Sequence, residues 1–222
     1  MYKPIKRFFD IIFSLLAIVI LSPILIPIVI LLKLTGEGYI FYFQKRIGQK
    51  CRYFDIWKFA TMLKDSPNIG TGTITLRKDP RITPMGGFLR MTKINELPQL
   101  FNVLKGDMSF VGPRPLVDKN FISTPPDIKN QIYINKPGIT GIGSVVFRDE
   151  EKLYSQTSMP PEQFYQEVIG PYKCELEIWY GKNISFLTDL KILILTALVL
   201  ISPNSNLYSS WFKDLPKAKG FN

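Results

Sequence analysis

No histidine occurs in this 222-residue chain, and cysteine appears only twice, as Cys51 and Cys174. Without an imidazole there is no serine–histidine or cysteine–histidine nucleophile, so catalysis would have to use carboxylates, lysine, arginine or a metal held by oxygen ligands. Two distant cysteines in no metal-ligand pattern make a disulfide framework improbable and fit a reducing compartment. Repeats and low-complexity segments are also lacking. Negative charge is scarce: 18 acidic residues face 28 lysines and arginines, a formal net charge of +10. That excess points to a polyanionic partner, whether nucleic acid, an anionic bilayer surface or a phosphorylated substrate. The basic residues are scattered and carry no binding-module signature, which argues against nucleic acid. A hydrophobic fraction of 46% is ample for the core of one domain with an accessory element.

One long stretch has no charge at all, from Ile11 to Leu32. Its length suffices to span a bilayer, and it lacks the small-residue cleavage site of a signal peptide. Lys3, Lys6 and Arg7 precede it, and Lys33, Lys45, Arg46 and Lys50 follow, so both flanks read as cytoplasmic. Ser22-Pro23, with Pro27 beyond, interrupts the middle. The arms Ile11–Leu21 and Ile24–Leu32 would each reach about half of a ~30 Å hydrocarbon core. This geometry suits a re-entrant hairpin that enters and leaves on one side; a proline-kinked spanning helix is the alternative. Asp10, near Arg7 at the mouth of the run, can pair with it or serve as an ordinary interfacial charge.

Downstream, Tyr39–Lys45 and Arg52–Lys58 read as the strands of a β-hairpin around a Gly-containing turn. Pro67, Gly70 and Gly72 mark a loop. Gly86–Met91 and Asn95–Lys105 read as short helices, the second ended by Gly106. Residues 106–145 read as loops and short strands, and Glu162–Asn183 as a helix. The apolar run Ile192–Ile201 is too short to span and should pack in the core or lie along the bilayer surface. The polar tail from Ser202 reads as loosely held.

The densest chemistry lies between Arg90 and Pro115, in RMTKINELPQLFNVLKGDMSFVGPRP. Asn95 is a good N-cap and Pro98 falls in a first turn, so a helix start with free N–H groups is expected there, ready for a phosphate. Arg90 and Arg114, the latter in a stiff Gly-Pro-Arg-Pro loop, can grip diphosphate oxygens, and Glu96 can hold a bridging divalent metal. A capped surface helix with solvated charges explains the same residues without any ligand.

The resemblance here is specific. KRFFD (Lys6–Asp10), the Ser22-Pro23 break, FYFQKRIG (Phe41–Gly48), Lys58-Phe59, DPRIT (Asp79–Thr83), FLR (Phe88–Arg90), ELPQLFNVLKGDMSFVGPRP (Glu96–Pro115), KPGITG (Lys136–Gly141) and SFLTDLKIL (Ser185–Leu193) resemble, in order, the small monotopic phosphoglycosyl transferases. These bacterial sugar transferases start the assembly of capsules, exopolysaccharides and other glycoconjugates on undecaprenyl phosphate. The resemblance implies a mostly helical α+β fold at the cytoplasmic face of the inner membrane. It comprises a re-entrant helix-break-helix hairpin (residues 1–34), a catalytic domain with a small antiparallel β-hairpin and membrane-associated helices (35–201), and a polar tail (202–222). It also implies Mg²⁺ as cofactor, a UDP-sugar donor and an undecaprenyl-phosphate acceptor, with anionic lipids and downstream glycosyltransferases as partners. Asn95 and Glu96 fall at the catalytic pair, with Glu96 supporting Mg²⁺. Lys58, Arg90, Pro113, Arg114, Glu177 and Asp189 fall among the substrate-binding positions, and Arg7, Asp10, Ser22 and Pro23 in the membrane element.

The chain departs from the family at informative places. The first member of the catalytic pair is ordinarily an aspartate that attacks the donor's β-phosphate; here it is Asn95, and an amide is not a phosphate nucleophile. Two routes remain: another carboxylate such as Glu96 or Asp107 attacks, or the lipid phosphate attacks directly. The second fits the positioning and charge neutralisation that dominate phosphoryl transfer. A catalytically impaired relative acting as a membrane scaffold is the alternative function. Ala60 replaces an arginine of the family, Glu177 stands for an aspartate, and Gly141 is followed by IGSVVFRDEE in place of WAQVNGR, so sugar specificity need not follow other members.

Overall fold

A computed structural model describes residues 2–68, 79–117, 124–148, 150, 153–154, 157–201 and 207–217. The chain divides into two compact units: Met1–Phe8, Arg46–Phe54 and Asp107–Asn222 form the first, and Phe9–Lys45 and Asp55–Gly106 the second.

Helix α1 runs from Tyr2 to Leu34 with Pro23 and Pro27 inside it. The two arms expected from the sequence thus belong to one helical element. The reason is local. Pro23 has no N–H to give to the carbonyl of Val19, four residues back, and the hydroxyl of Ser22 donates to that same oxygen at 2.7 Å. The orphaned acceptor is satisfied without unwinding the chain. Most of the helix's aliphatic side chains are exposed, and among the described residues it is the one helix long and apolar enough to cross a membrane.

In the second unit, Ile28 and Leu32 of α1 pack with Phe59 and Leu89. Strands β1 (Phe41–Ile47) and β2 (Tyr53–Phe59) form the expected antiparallel hairpin. Its turn uses Lys50 and Cys51, both at φ +56°, as the left-handed residues, whereas Gly48 is extended at φ −114°. Helix α2 (Pro84–Met91) begins two residues before the sequence reading, because Thr83 caps it by accepting from the Gly86 N–H at 3.0 Å and Pro84 fills the first turn.

The expected helix Asn95–Lys105 is not continuous. Lys93 turns left-handed, Ile94–Glu96 form a 3₁₀ turn, and α3 proper is Gln99–Lys105. Tight bonds from Leu97 to Ile94, Leu100 to Leu97 and Phe101 to Pro98 carry the chain past Pro98. Gly106 ends α3 at φ +103°, as its position predicts.

In the first unit, β3 (Ser109–Val111) and β4 (Gly138–Thr140) pair in parallel, with Ser109 opposite Gly138 and Val111 opposite Thr140. Gly112 lies so close to the neighbouring backbone that a Cβ there would come within 2.3 Å of the Lys136 carbonyl oxygen. Helices α4 (Pro126–Ile132), α5 (Ile142–Val146) and α6 (Pro161–Phe164) follow. A π-turn at Tyr165–Ile169 leads into α7 (Gly170–Lys182) and then α8 (Phe186–Ile201). Ile192, Leu195 and Val199 place one face of α8 in the core, while Leu187, Leu190 and Ile194 are exposed.

The tail is better held than its polarity indicates. Its described part forms α9 (Leu207–Trp211), Phe212 is buried, Asp214 accepts from the Trp179 indole at 2.9 Å and the Pro216 carbonyl from Tyr172 at 3.0 Å. Gly70 and Gly72 lie outside the described residues.

Candidate active site

The second unit gathers Lys58, Arg90, Asn95 and Glu96. Lys58, near the end of β2, sets its Nζ 3.3 Å from Oε1 of Glu96 in the 3₁₀ turn. Both groups keep solvent contact, with side chains 20% and 31% exposed. Asn95, one residue before Glu96, is buried, and its Oδ1 has no hydrogen-bond partner. It is not the helix cap read from the sequence: it lies inside the 3₁₀ turn, and the N–H of Glu96 is already given to the Lys93 carbonyl. The amides of Glu96, Leu97, Leu100 and Phe101 are thus engaged within the turn. Arg90 reaches Thr61 Oγ1 at 3.3 Å. Gly86 makes that approach close, since a Cβ there would fall 2.0 Å from the Thr61 carbonyl oxygen.

Asn102, which sequence reasoning missed, fixes this arrangement. It is fully buried; its Nδ2 donates to the Asp55 carbonyl at 2.8 Å and its Oδ1 accepts from the Trp57 N–H at 2.9 Å. The side chain thus mimics a strand partner and locks α3 to β2 beside Lys58. Its only sequence signal is an amide on the otherwise apolar stretch Leu100–Leu104.

Arg81 is a structural ion pair. Its guanidinium is buried against Asp79 in a bidentate pair at 2.9 and 2.6 Å and donates to the Ser66 carbonyl at 2.8 Å.

In the first unit, the paired β3 and β4 lead into the loop Gly112–Pro115, where Pro113 is buried and Arg114 exposed. The backbone N–H of Arg114 donates to Oε1 of Glu177 at 3.4 Å. Glu177 is buried, and burial pushes its carboxyl up to about 7 against the opposing pull of the Arg114 N–H, Lys173 and the Arg114 charge. Lys173 pairs with Glu150 at 2.7 Å over the rings of Phe147 and Tyr165; burial lowers its ammonium below the usual range.

Asp189 is held elsewhere in this unit. One oxygen accepts from the Tyr180 hydroxyl at 2.7 Å, and the other from Tyr2 at 2.7 Å and from the ammonium of Lys6. This buried carboxylate clamps the first turns of α1 to α8. Asp10 is buried on α1 and Arg7 half-buried. Cys51 and Cys174 are free thiols, and burial pushes Cys174 up to about 11, which keeps it protonated at neutral pH.

Among the described residues one helix is long and apolar enough to cross a membrane, the second unit holds a part-exposed lysine–glutamate pair, and the first unit holds an exposed arginine in a proline-flanked loop. Residues 1–203 match the bacterial sugar transferase family, and the chain belongs to it. It is 33% identical over 212 residues to an undecaprenyl-phosphate galactose phosphotransferase of Salmonella typhimurium, covering 89% of this chain and 40% of that one. It is 32% identical to a UDP-N-acetylgalactosamine-undecaprenyl-phosphate N-acetylgalactosaminephosphotransferase of Aeromonas hydrophila, over 90% of this chain and 44% of the relative. With the exopolysaccharide production protein PSS of Rhizobium leguminosarum bv. phaseoli it shares 32% identity, over 85% of this chain and 91% of the relative. The chain thus spans about two fifths of the length of the Salmonella and Aeromonas relatives.

Proposed function

We propose that this protein transfers a sugar 1-phosphate from a UDP-sugar to polyprenyl phosphate at the cytoplasmic face of the bacterial inner membrane, releasing UMP. The carrying observation is the Lys58–Glu96 pair at 3.3 Å, next to the orphaned Oδ1 of Asn95, in a member of this family. Both features suit a site completed by a charged ligand: the pair is part-exposed, and a buried oxygen without a partner is costly until something occupies it. The printed names of the relatives, galactose in one and N-acetylgalactosamine in another, support the reaction class and leave the sugar open.

In this reading a phosphate oxygen of the lipid attacks the β-phosphorus of the donor. The bond from that phosphorus to the bridging oxygen breaks, and UMP leaves with it. Asn95 cannot attack; of the two routes that leaves, attack by Glu96 or Asp107 and direct attack by the lipid phosphate, the proposal takes the direct one, in which no sugar phosphate is held on the protein. In the second unit Lys58 and Arg90 supply positive charge for the diphosphate, and in the first unit Arg114 offers a guanidinium of the same kind. Magnesium fits the donor set as an ion completed by substrate. Among the described residues no three His, Cys, Asp or Glu side chains cluster, whereas Mg²⁺ ordinarily takes one or two carboxylates plus phosphate oxygens. Glu96 would hold it, with the Asn95 amide oxygen as a neutral neighbour, and the ion would supply charge neutralisation. Turnover with UDP-sugars and polyprenyl phosphate, together with intact-mass measurement in the absence of acceptor, tests the proposal. UMP release without a protein adduct is expected.

A further inference from the structure

Glu177 is a buried carboxylate to which the proposed chemistry gives no task. It lies on α7 with Oε1 against the Arg114 N–H at 3.4 Å and Oε2 without a partner. Across from it, on α5, a Cβ built on Gly143 would sit 2.7 Å from the same Oε1 and 3.6 Å from Cδ. Gly143 is not among the residues with positive φ, so its backbone does not require glycine, and alanine is the better helix former. Space explains the glycine, and the Glu177 carboxylate takes that space.

The loop on the other side has one donor to offer. Pro113 and Pro115 lack N–H groups, so the amide of Arg114 is the single backbone donor of the Pro-Arg-Pro triplet. The flanking carbonyls are engaged as acceptors, Pro113 from the Gly138 N–H at 2.9 Å and Pro115 from Arg46 at 3.3 Å. The donor goes to Glu177.

We propose that Glu177 is a positioning residue, admitted by the missing side chain at Gly143, that fixes the Arg114 amide and so sets where the Arg114 guanidinium is presented to a diphosphate. The inference rests on the reading of Arg114 as a diphosphate ligand. Glu177 itself does not contact substrate. The glutamate and the glycine act as one device: shortening the acid removes the hold on the amide, and adding a methyl at 143 pushes the carboxylate off it.

Hydrogen exchange of the Arg114 amide in the full chain in detergent, read beside UMP release, tests this. Gly143→Ala should speed that exchange about fivefold, as loss of one hydrogen bond would, and Glu177→Ala should do the same. Combining them should add nothing, because no carboxylate remains to be displaced. Glu177→Gln should keep the slow exchange, since its amide oxygen still accepts. The KM for the UDP-sugar should rise with exchange, kcat changing less. Wild-type exchange in Glu177→Ala, or a further increase when Gly143→Ala is added to it, overturns the proposal. If Gly143→Ala does not fold, Glu177→Ala against Glu177→Gln decides alone. Exchange that behaves as stated with unchanged UMP release keeps the positioning role and overturns the assignment of Arg114 to the diphosphate.

Discussion

Lys58 Nζ stands 3.3 Å from Oε1 of Glu96, joining the end of a strand to a 3₁₀ turn 38 residues further along the chain. Both side chains retain solvent contact, so the pair contributes at most about 1 kcal/mol to stability. Its residue types and its neighbour Asn95 point to a ligand instead. Lys58→Met and Glu96→Gln should therefore leave the melting temperature nearly unchanged while cutting turnover about 100-fold or more. Large losses of stability in both variants would make the pair structural.

Arg81 should behave in the opposite way. Removing it strands the Asp79 carboxylate that it holds in a bidentate pair, so Arg81→Ala should clearly lower stability in denaturant unfolding. Arg90, half-buried and touching Thr61, should lose donor affinity at far smaller cost. Equal destabilisation of the two variants would contradict this division.

Some of this was legible in the sequence and some was not, for local reasons. The β-hairpin followed from two aromatic runs, yet its left-handed turn residues are Lys50 and Cys51, which no propensity singles out. The helix expected at Asn95 fails because left-handed Lys93 and Pro98 compress the entry into 3₁₀ geometry, a choice made by packing. The two prolines of the Gly112–Pro115 loop make it stiff by sequence alone, but its support by Glu177, 63 residues away, depends on a fold that no spacing reveals. Asp189 read as a substrate residue; the structure engages both its oxygens with Tyr2, Lys6 and Tyr180.

The Glu177 carboxyl, raised by burial from 4.5 to about 7, makes stability depend on pH. Between these values the folded chain holds a proton that the unfolded chain has released, so stability is greatest below about pH 4.5 and falls as pH rises through about 7. The contribution is about 3 kcal/mol. Glu177→Gln should remove this fall, as measured by denaturant unfolding at several pH values in detergent. An unchanged profile would show that the carboxyl is ionised when folded.

For the membrane element, both flanks of α1 are predicted to be cytoplasmic, so single-cysteine labels at Lys3 and Lys50 should react only from the cytoplasmic side. Replacing Pro23 and Pro27 by Leu should favour a spanning helix and expose position 3 to periplasmic reagent. Periplasmic labelling of position 3 in the otherwise native chain would rule out re-entry.

The most direct test is UMP release by the purified, detergent-solubilised protein with Mg²⁺, polyprenyl phosphate and a panel of UDP-sugars. Turnover is predicted with at least one sugar, dependent on the lipid phosphate, with no sugar-phosphate adduct by intact mass when acceptor is withheld, and with Asn95→Asp equally or more active. An adduct on Glu96 or Asp107 would contradict direct transfer. No UMP from any sugar, in the native chain and in Asn95→Asp alike, would contradict the enzymatic reading itself.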